Sequence, residues 1–305
     1  MDVLCAGLVT VDVIQTVDHL PTANQKMVAS KVSLTYGGPA ANAAGAVAGL
    51  GVESMLVSVI GRSPFAQAVR DDLSRSGVAV LDIAPDLDDA LPLSTVLVDR
   101  LSGERAVVST NAVYSARANS VQLSWLDSAR ACLVDGHNMP LCVQVASAAR
   151  AFGVPVVLDG GSWKEGTEDL LPFVDLAVVS ADFHPPRAKD TLEFLVGAGC
   201  RFAAQSFGAG STHALIAGER MVIEVPRVEV EDTLGAGDAL HGAIVAAVAR
   251  AGLAESTLAD VLRFGAEVAS ASCTRFGARG WLEDDVLRES ARQSLSRLVD
   301  RVRGG

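Results

Sequence analysis

The feature that most limits the fold of this chain is a recurrence of short apolar runs separated by stretches of helical periodicity. Val3 to Leu8, Met55 to Ile60, Ala131 to Val134, Val154 to Leu158, Leu176 to Val179 and Phe202 to Ser206 are too short for helices and carry no polar face. Such runs suit strands covered by helices on both sides. The stretches between them supply those helices: Ala40 to Leu50, Pro64 to Ser76, Leu141 to Phe152 and Asp238 to Ala251. In the last, Leu240, Ala243, Ile244, Ala247 and Val248 fall along one helical face. The alternation predicts an α/β fold, a three-layer αβα body with a mostly parallel central sheet.

Two segments break the alternation. Val13 to Tyr36 and Leu93 to Asn111 hold β-rich pieces with a Ser102-Gly103 turn and no useful helix. They predict a small second sheet, a lid over the carboxyl ends of the parallel strands, where ligands bind in such folds. No linker or internal repeat divides the chain, so residues 1–305 read as a single domain with a lid inserted from residues 13–36 and 93–111. Leu282 to Gly305 is charged and helical in pattern, with an end expected to fray.

Composition narrows the function. A chain that is 50% hydrophobic and 20% charged can build a packed core. A net charge of -11 with no run of Lys or Arg argues against nucleic acid as a partner and for a small ligand. The opening MDVLCAGLVTVDVIQ carries Asp2 and Asp12 and no basic flank, so it reads as a first buried strand and not as a leader. No stretch reaches the roughly 18 apolar residues of a membrane span, and even Ala239 to Leu253 is broken by His241 and Arg250, so no membrane partner is expected. Cys5, Cys132, Cys142, Cys200 and Cys273 are scattered without a CxxC pair, as reduced thiols in a cytoplasmic protein would be. The histidines are equally dispersed and outline no metal site.

Two glycine motifs carry the chemistry. In VEVEDTLGAGDALHGAIVAAVA an alternating stretch ends at Glu231 and a helix begins near Gly237. Gly235 and Gly237 lack the Cβ atoms that would block close approach, so amides of Gly235, Ala236 and Gly237 can converge on an anion at the positive helix end. Asp238 beside them would repel phosphate unless it accepts a proton from an attacking hydroxyl. By itself it is equally a favourable acid in a helix's first turn. In LTYGGPAANAAGAVAGLG, Gly37 and Gly38 make a tight entry to an Ala-rich helix bearing Asn42, either a local cap or an amide for vicinal hydroxyls. Asp12 follows the first strand, where a carboxylate can accept from two adjacent hydroxyls.

Together GGPAANAA and DTLGAGDALHGA, in that order, resemble the two signatures of the ribokinase, or PfkB, family of carbohydrate kinases, over nearly the full chain. The resemblance implies ATP with Mg²⁺ as phosphoryl donor, K⁺ activation in some members, a small sugar acceptor, and a homodimer joined through the lids. It implies Asp238 as catalytic base and Gly235, Ala236 and Gly237 as the anion hole. Asp12, Gly38, Asn42 and Asn138 would hold the sugar, and Ser180, Gln205, Gly208, Gly210, Thr233, Gly265 and Cys273 the nucleotide, with Asp182 reaching the metal through water. VLCAGLVTVDVIQTVD and RFGAEVASASCTRFGARG are similar to ketohexokinases and bacterial sulfofructose kinases, which points to a ketose or modified ketose and a primary hydroxyl. Pro39 stands where ketohexokinases have Asn, and His137 where they have Arg, which points to a different sugar. Ser180-Ala181-Asp182-Phe183 replaces an Asn-x-x-Glu motif, and Phe207 replaces the first glycine of a TxGxxG-like turn. Two rival readings are a nucleoside kinase of the same family, disfavoured by 5% aromatics, and an inactive sugar or nucleotide sensor.

Overall fold

The computed structural model describes residues 1–102, 104–110 and 124–304. In chain order its strands are β1 (Val3–Ala6), β2 (Thr10–Val17), β3 (Lys31–Gly37), β4 (Ser54–Ser58), β5 (Val78–Asp82), β6 (Leu93–Asp99), β7 (Arg105–Ser109), β8 (Ala131–Val134), β9 (Val156–Gly160), β10 (Leu176–Ser180), β11 (Phe202–Ser206), β12 (Ser211–Ile216) and β13 (Glu219–Glu224). The helices are α1 (Pro39–Gly49), α2 (Ala66–Arg75), α3 (Met139–Ala151), α4 (Thr167–Leu170), α5 (Thr191–Gly197), α6 (Ala236–Ala251), α7 (Glu255–Ser272), α8 (Gly280–Glu283) and α9 (Asp285–Gly304).

The large sheet runs β13-β12-β11-β10-β9-β8-β1-β4-β5. It is parallel from β5 to β11, and β12 and β13 close it as an antiparallel edge. Its two faces follow from the two-residue period of a strand. Along β1, Val3 and Cys5 join a core with α1, α2, α6, α7 and α9, while Leu4 and Ala6 join a second core with α3, α4 and α5. The chain leaves β1 toward β4 on one side and returns as β8 on the other, so β1 and β8 flank a topological switch point. A crevice opens there at the carboxyl ends of the strands.

The second sheet runs β3-β2-β6-β7. Its register places Asp12 beside Thr35 and Ser94, and Ser94 beside Ser109, on one face. Arg105 shares that face through Val98 and Thr16. The opposite face carries Val32, Leu34 and Val108, all exposed. Gly103 and Asn111, the turn glycine and the end of the predicted second lid segment, lie outside the described residues.

The expected strands and helices are present with ends moved by up to three residues. Among the described residues, β5, the β12–β13 hairpin, α4, α5 and α7 were not anticipated. The hairpin's burial is uneven, with His213 and Glu219 to Val222 exposed. It therefore lacks the continuous apolar character by which central strands are recognised. Gly265, expected beside the nucleotide, sits inside α7 against α6. A Cβ there would fall 2.6 Å from the Ile244 side chain and 3.0 Å from Leu240. The observed use of this glycine is helix packing. Gly265→Ala is therefore expected to destabilise the fold by about 1–3 kcal/mol through overpacking. Thermal melts should fall while the KM for ATP stays within twofold of wild type.

Candidate active site

Helix α1 and helix α6 cross at small residues. A Cβ on Gly242 would lie 2.7 Å from the Ala43 carbonyl oxygen and from the Ala46 Cβ. This near approach of backbones brings Asn42, in the second turn of α1, to Asp238, in the first turn of α6. The Asn42 amide Nδ2 donates to Asp238 Oδ2 at 2.7 Å, across 196 residues of chain. The two glycine motifs thus meet at a side-chain hydrogen bond.

The start of α6 has the shape the motif predicts. Gly235 is its N-cap with φ 74° and ψ 6°, and no side chain caps the helix. A Cβ there would stand 2.5 Å from Ala278 Cβ, while the equivalent position on Gly237 meets nothing within 4 Å. Of the three predicted anion-hole amides, Ala236 N–H is turned back onto the Thr233 carbonyl at 3.3 Å. The remaining first-turn amides have no carbonyl one turn earlier to receive them, and they carry the positive end of the helix dipole.

Three carboxylates gather beneath this turn. Asp135 follows β8 and is buried; it accepts from the N–H groups of Leu8 at 2.8 Å, Ala40 at 3.1 Å and His137 at 2.9 Å. It thereby ties the β1 loop to the start of α1. Asp159, near the end of β9, is also buried, and its Oδ2 lies 3.4 Å from His241 Nδ1. The His241 ring sits between the carbonyl oxygens of Gly237 at 2.7 Å and Val178 at 2.9 Å. Burial and the neighbouring charge of Asp159 push the Asp238 carboxyl up to about 8, against smaller lowering effects from Asn42 and Arg279. Burial also raises Asp159, with His241 opposing. A carboxyl raised in this way is a stronger base once ionised, as proton abstraction near neutral pH requires.

Arg279 was not anticipated. Its Nη1 donates to Asn42 Oδ1 at 2.5 Å and to the Tyr36 carbonyl at 2.8 Å, and its Nη2 donates to Thr35 Oγ1. Its guanidinium carbon lies 3.4 Å from the centroid of the Tyr36 ring. The only sequence signal was an arginine in a short glycine loop, GARG, with no acid beside it. Asp135 and Asp159 each stand at the end of an apolar strand, and that position was the signal available for them; Asp12, expected after the first strand, lies within β2 of the small sheet.

Asp12 is half-buried, and its Oδ1 accepts from Thr10 Oγ1 at 2.7 Å. Burial raises its carboxyl, with the Thr10 and Ser94 hydroxyls and Arg279 opposing. Gly38 caps α1 at φ 92°, and a Cβ there would meet the Leu8 carbonyl oxygen at 2.5 Å. Asp12, Asn42, Thr35, Tyr36 and Arg279 border one cleft of about 640 Å³. Asn42 differs from expectation, since both ends of its amide are already engaged by protein partners. Asn138 is the N-cap of α3, its Oδ1 accepting from Leu141 N–H at 3.4 Å.

On the other side of the α6 turn, Gln205 Nε2 donates to the Ser180 carbonyl at 3.2 Å, and Ser180 Oγ donates to the Gly161 carbonyl at 2.7 Å. Phe207 to Gly210 form the turn into β12, with Gly208 at φ 58° and Gly210 N–H on the Phe207 carbonyl at 3.0 Å. The Phe207 ring packs on His213, with centroids 5.0 Å apart. Cys273 contributes its carbonyl, which accepts from the N–H groups of Glu231 and Asp232. Asp232 in turn accepts from Leu234 N–H at 2.9 Å and Gly277 N–H at 2.8 Å, and pairs with Arg105 of the small sheet. Thr233 is exposed beside that pair. Asp182 is exposed at the end of β10, and among the described residues no group of three His, Cys, Asp or Glu side chains could hold a metal ion. Mg²⁺ carried on nucleotide phosphates keeps several waters and needs only one or two carboxylates, so a lone Asp182 fits that use.

The nine-stranded, mostly parallel sheet with its helices and separate small sheet is the ribokinase-like fold, and a ribokinase from Arabidopsis thaliana, solved with ribose and ATP, superposes with a TM-score of 0.73 over 98% of both chains at 19% identity. The family model for pfkB family carbohydrate kinases matches residues 1–182 and 207–285, and the chain belongs to that family. It is 23% identical to a ribokinase of Haemophilus influenzae over 90% of this chain and 92% of that one. It is 22% identical to a ketohexokinase of Mus musculus over 91% and 98%. The resemblance drawn from the two glycine signatures is borne out, and the protein is a kinase of the sugar and nucleoside class.

Proposed function

We propose that this protein transfers the γ-phosphoryl group of MgATP to a primary hydroxyl of a small sugar, a ketose or modified ketose first, with Asp238 as the base. The observation that carries this reading is a buried carboxylate, raised toward neutrality, held by Asn42 at a glycine-opened helix start. An attacking hydroxyl held by Asp12, with Asn42 orienting the base, would give its proton to Asp238 Oδ1 as the new P–O bond forms. In a loose transition state the proton leaves late, so the carboxylate's first task is orientation. The amides of Gly235 and Gly237 and the dipole of α6 stabilise charge on the transferring oxygens. Asp182 would hold Mg²⁺ through water, and the ion would supply neutralisation of charge on the phosphates. Gly38 lets the β1 loop approach the acceptor, and Asn138 would hold the sugar from the start of α3. Ser180, Gln205, Gly208, Gly210, Thr233 and Cys273 frame the nucleotide.

The small sheet acts as a lid that excludes competing water, and the contact between Arg105 and Asp232 joins it to the phosphate loop. Its exposed apolar face, with Val32, Leu34 and Val108, is the surface through which a homodimer would form. Light scattering after gel filtration tests that, and a monomer with an intact fold would refute it. The reduced thiols Cys5, Cys132, Cys142 and Cys200, all buried, suit a cytoplasmic enzyme.

A coupled ADP-release screen over ketoses, aldoses, polyols, sulfosugars and nucleosides, with and without Mg²⁺ and K⁺, tests the assignment. The expected result is Mg²⁺-dependent turnover, highest with a ketose or an anionic ketose. Turnover confined to nucleosides would overturn the sugar reading. Heat stabilisation by sugars without any turnover would make the protein a sensor.

A further inference from the structure

We infer that Arg279 is a positioning residue for phosphoryl transfer, fixing which way the Asn42 amide faces and, through it, the orientation of the Asp238 carboxylate. The inference rests on the reading of Asp238 as base. The two ends of an asparagine amide have nearly the same shape, so partners decide its orientation. A carboxylate only accepts and a guanidinium only donates. With Asp238 Oδ2 at one end and Arg279 Nη1 at the other, one orientation makes two hydrogen bonds. The flipped amide would set oxygen against carboxylate and NH₂ against guanidinium.

Arg279 is itself held rigidly enough for this work. Its planar head lies over the Tyr36 ring and donates to the Tyr36 carbonyl and to Thr35. Asp72 of α2 lies 3.6 Å from Nη2 and also accepts from Thr35 Oγ1 at 3.0 Å and Tyr36 N–H at 3.2 Å. The end of β3 and the middle of α2 therefore form a cradle into which a forked cation fits, and lysine, with a single ammonium, cannot make the same set. These bonds leave Arg279 occupied by protein groups, which separates positioning from recognition of a ligand. The charged groups facing Asp238 are Asp135 after β8, Asp159 on β9 and Arg279 before α8. His241, one turn on along α6, faces Asp159. Arg279 is the positive member among the three that act on Asp238, so its removal raises the carboxyl further.

The test compares Arg279→Met, which removes every donor, with Arg279→Gln, which keeps a donor for Asn42 but loses the charge. Folding is checked by thermal melting. Asp238 is titrated directly by ¹³C NMR of protein labelled at aspartate carboxyl carbons, with Asp238→Asn assigning the resonance. Steady-state kinetics use ATP with D-fructose and D-ribose as acceptors. The expected result is an Asp238 midpoint moved upward from wild type in both variants. Arg279→Met is expected to lose about 10- to 100-fold in kcat with acceptor KM changed less than threefold, and Arg279→Gln to keep most of kcat. A wild-type Asp238 midpoint in either folded variant would overturn the proposal. So would a rise in acceptor KM at unchanged kcat, which marks direct substrate contact. If Arg279→Met does not fold, the Gln variant decides through its midpoint. If wild type turns over neither sugar, the kinase reading fails at those acceptors, and the NMR midpoint still tests the Arg279 assignment separately.

Discussion

Asp238→Asn should bind ATP and acceptor with near-normal affinity and lose roughly a hundredfold or more in turnover. The amide preserves size and still meets Asn42 Nδ2 through its oxygen, but it cannot take the proton. Isothermal titration and a coupled assay measure the two quantities. Near-normal turnover with the true acceptor would remove Asp238 from catalysis. The same residue makes pH dependence calculable in sign. With its carboxyl pushed up to about 8, kcat/KM should climb as pH rises toward 8, where the base becomes ionised. Stability should move the opposite way. The native state holds this proton up to about 8 while the unfolded chain releases it near 3.8, as an ordinary aspartate does. Between those values the native state binds more protons, so stability falls as pH rises through the window. Asp238→Asn removes that loss, and its melting temperature should exceed wild type by a margin that grows from pH 5 to pH 8. A constant difference across that range would show that Asp238 is not the group responsible.

Gly235→Ala and Gly237→Ala should separate the fold from the anion site. At Gly235 an added Cβ would collide with Ala278 and be held at φ 74°, a conformation L side chains rarely adopt. Strain of about 1–2 kcal/mol is expected from the backbone alone. Displacement of a phosphate-facing amide adds a loss of about 100- to 1,000-fold in kcat. At Gly237 the Cβ meets nothing and the backbone is helical, so alanine should stabilise α6 by about 0.5–1 kcal/mol. Its methyl group would nonetheless stand where the phosphates approach. A variant that melts higher and binds ATP more weakly is the expected signature. Unchanged ATP affinity in Gly237→Ala would move the anion site elsewhere.

Much of the body was legible in the chain because central parallel strands are apolar on both faces and Ala-rich helices are periodic. The β12–β13 hairpin was not, because exposed residues such as His213 and Arg220 interrupt its apolar pattern. Asp238, Asn42, Asp12 and Gly38 were legible for a similar reason. Asp238, Asn42 and Gly38 stand at glycine-opened helix starts, and Asp12 lies near the start of β2 shortly after β1, so local geometry already narrows their use. Gly265 shows the limit of local reading, since a glycine inside a helix looks the same whether a ligand or another helix lies against it.

By itself, the sequence determined the layered body, the small second sheet and the two glycine turns, because these depend on interactions between residues near in the chain. The tertiary structure alone decided that Asn42 spends its amide on Asp238 and Arg279, that Asp135 and Asp159 raise the carboxyl beside them, and that Arg105 reaches Asp232. Those are charges and donors separated by up to 237 residues in the chain and brought within hydrogen-bond reach. Electrostatics and hydrogen bonding act over ångströms in space, and no spacing along the chain encodes them.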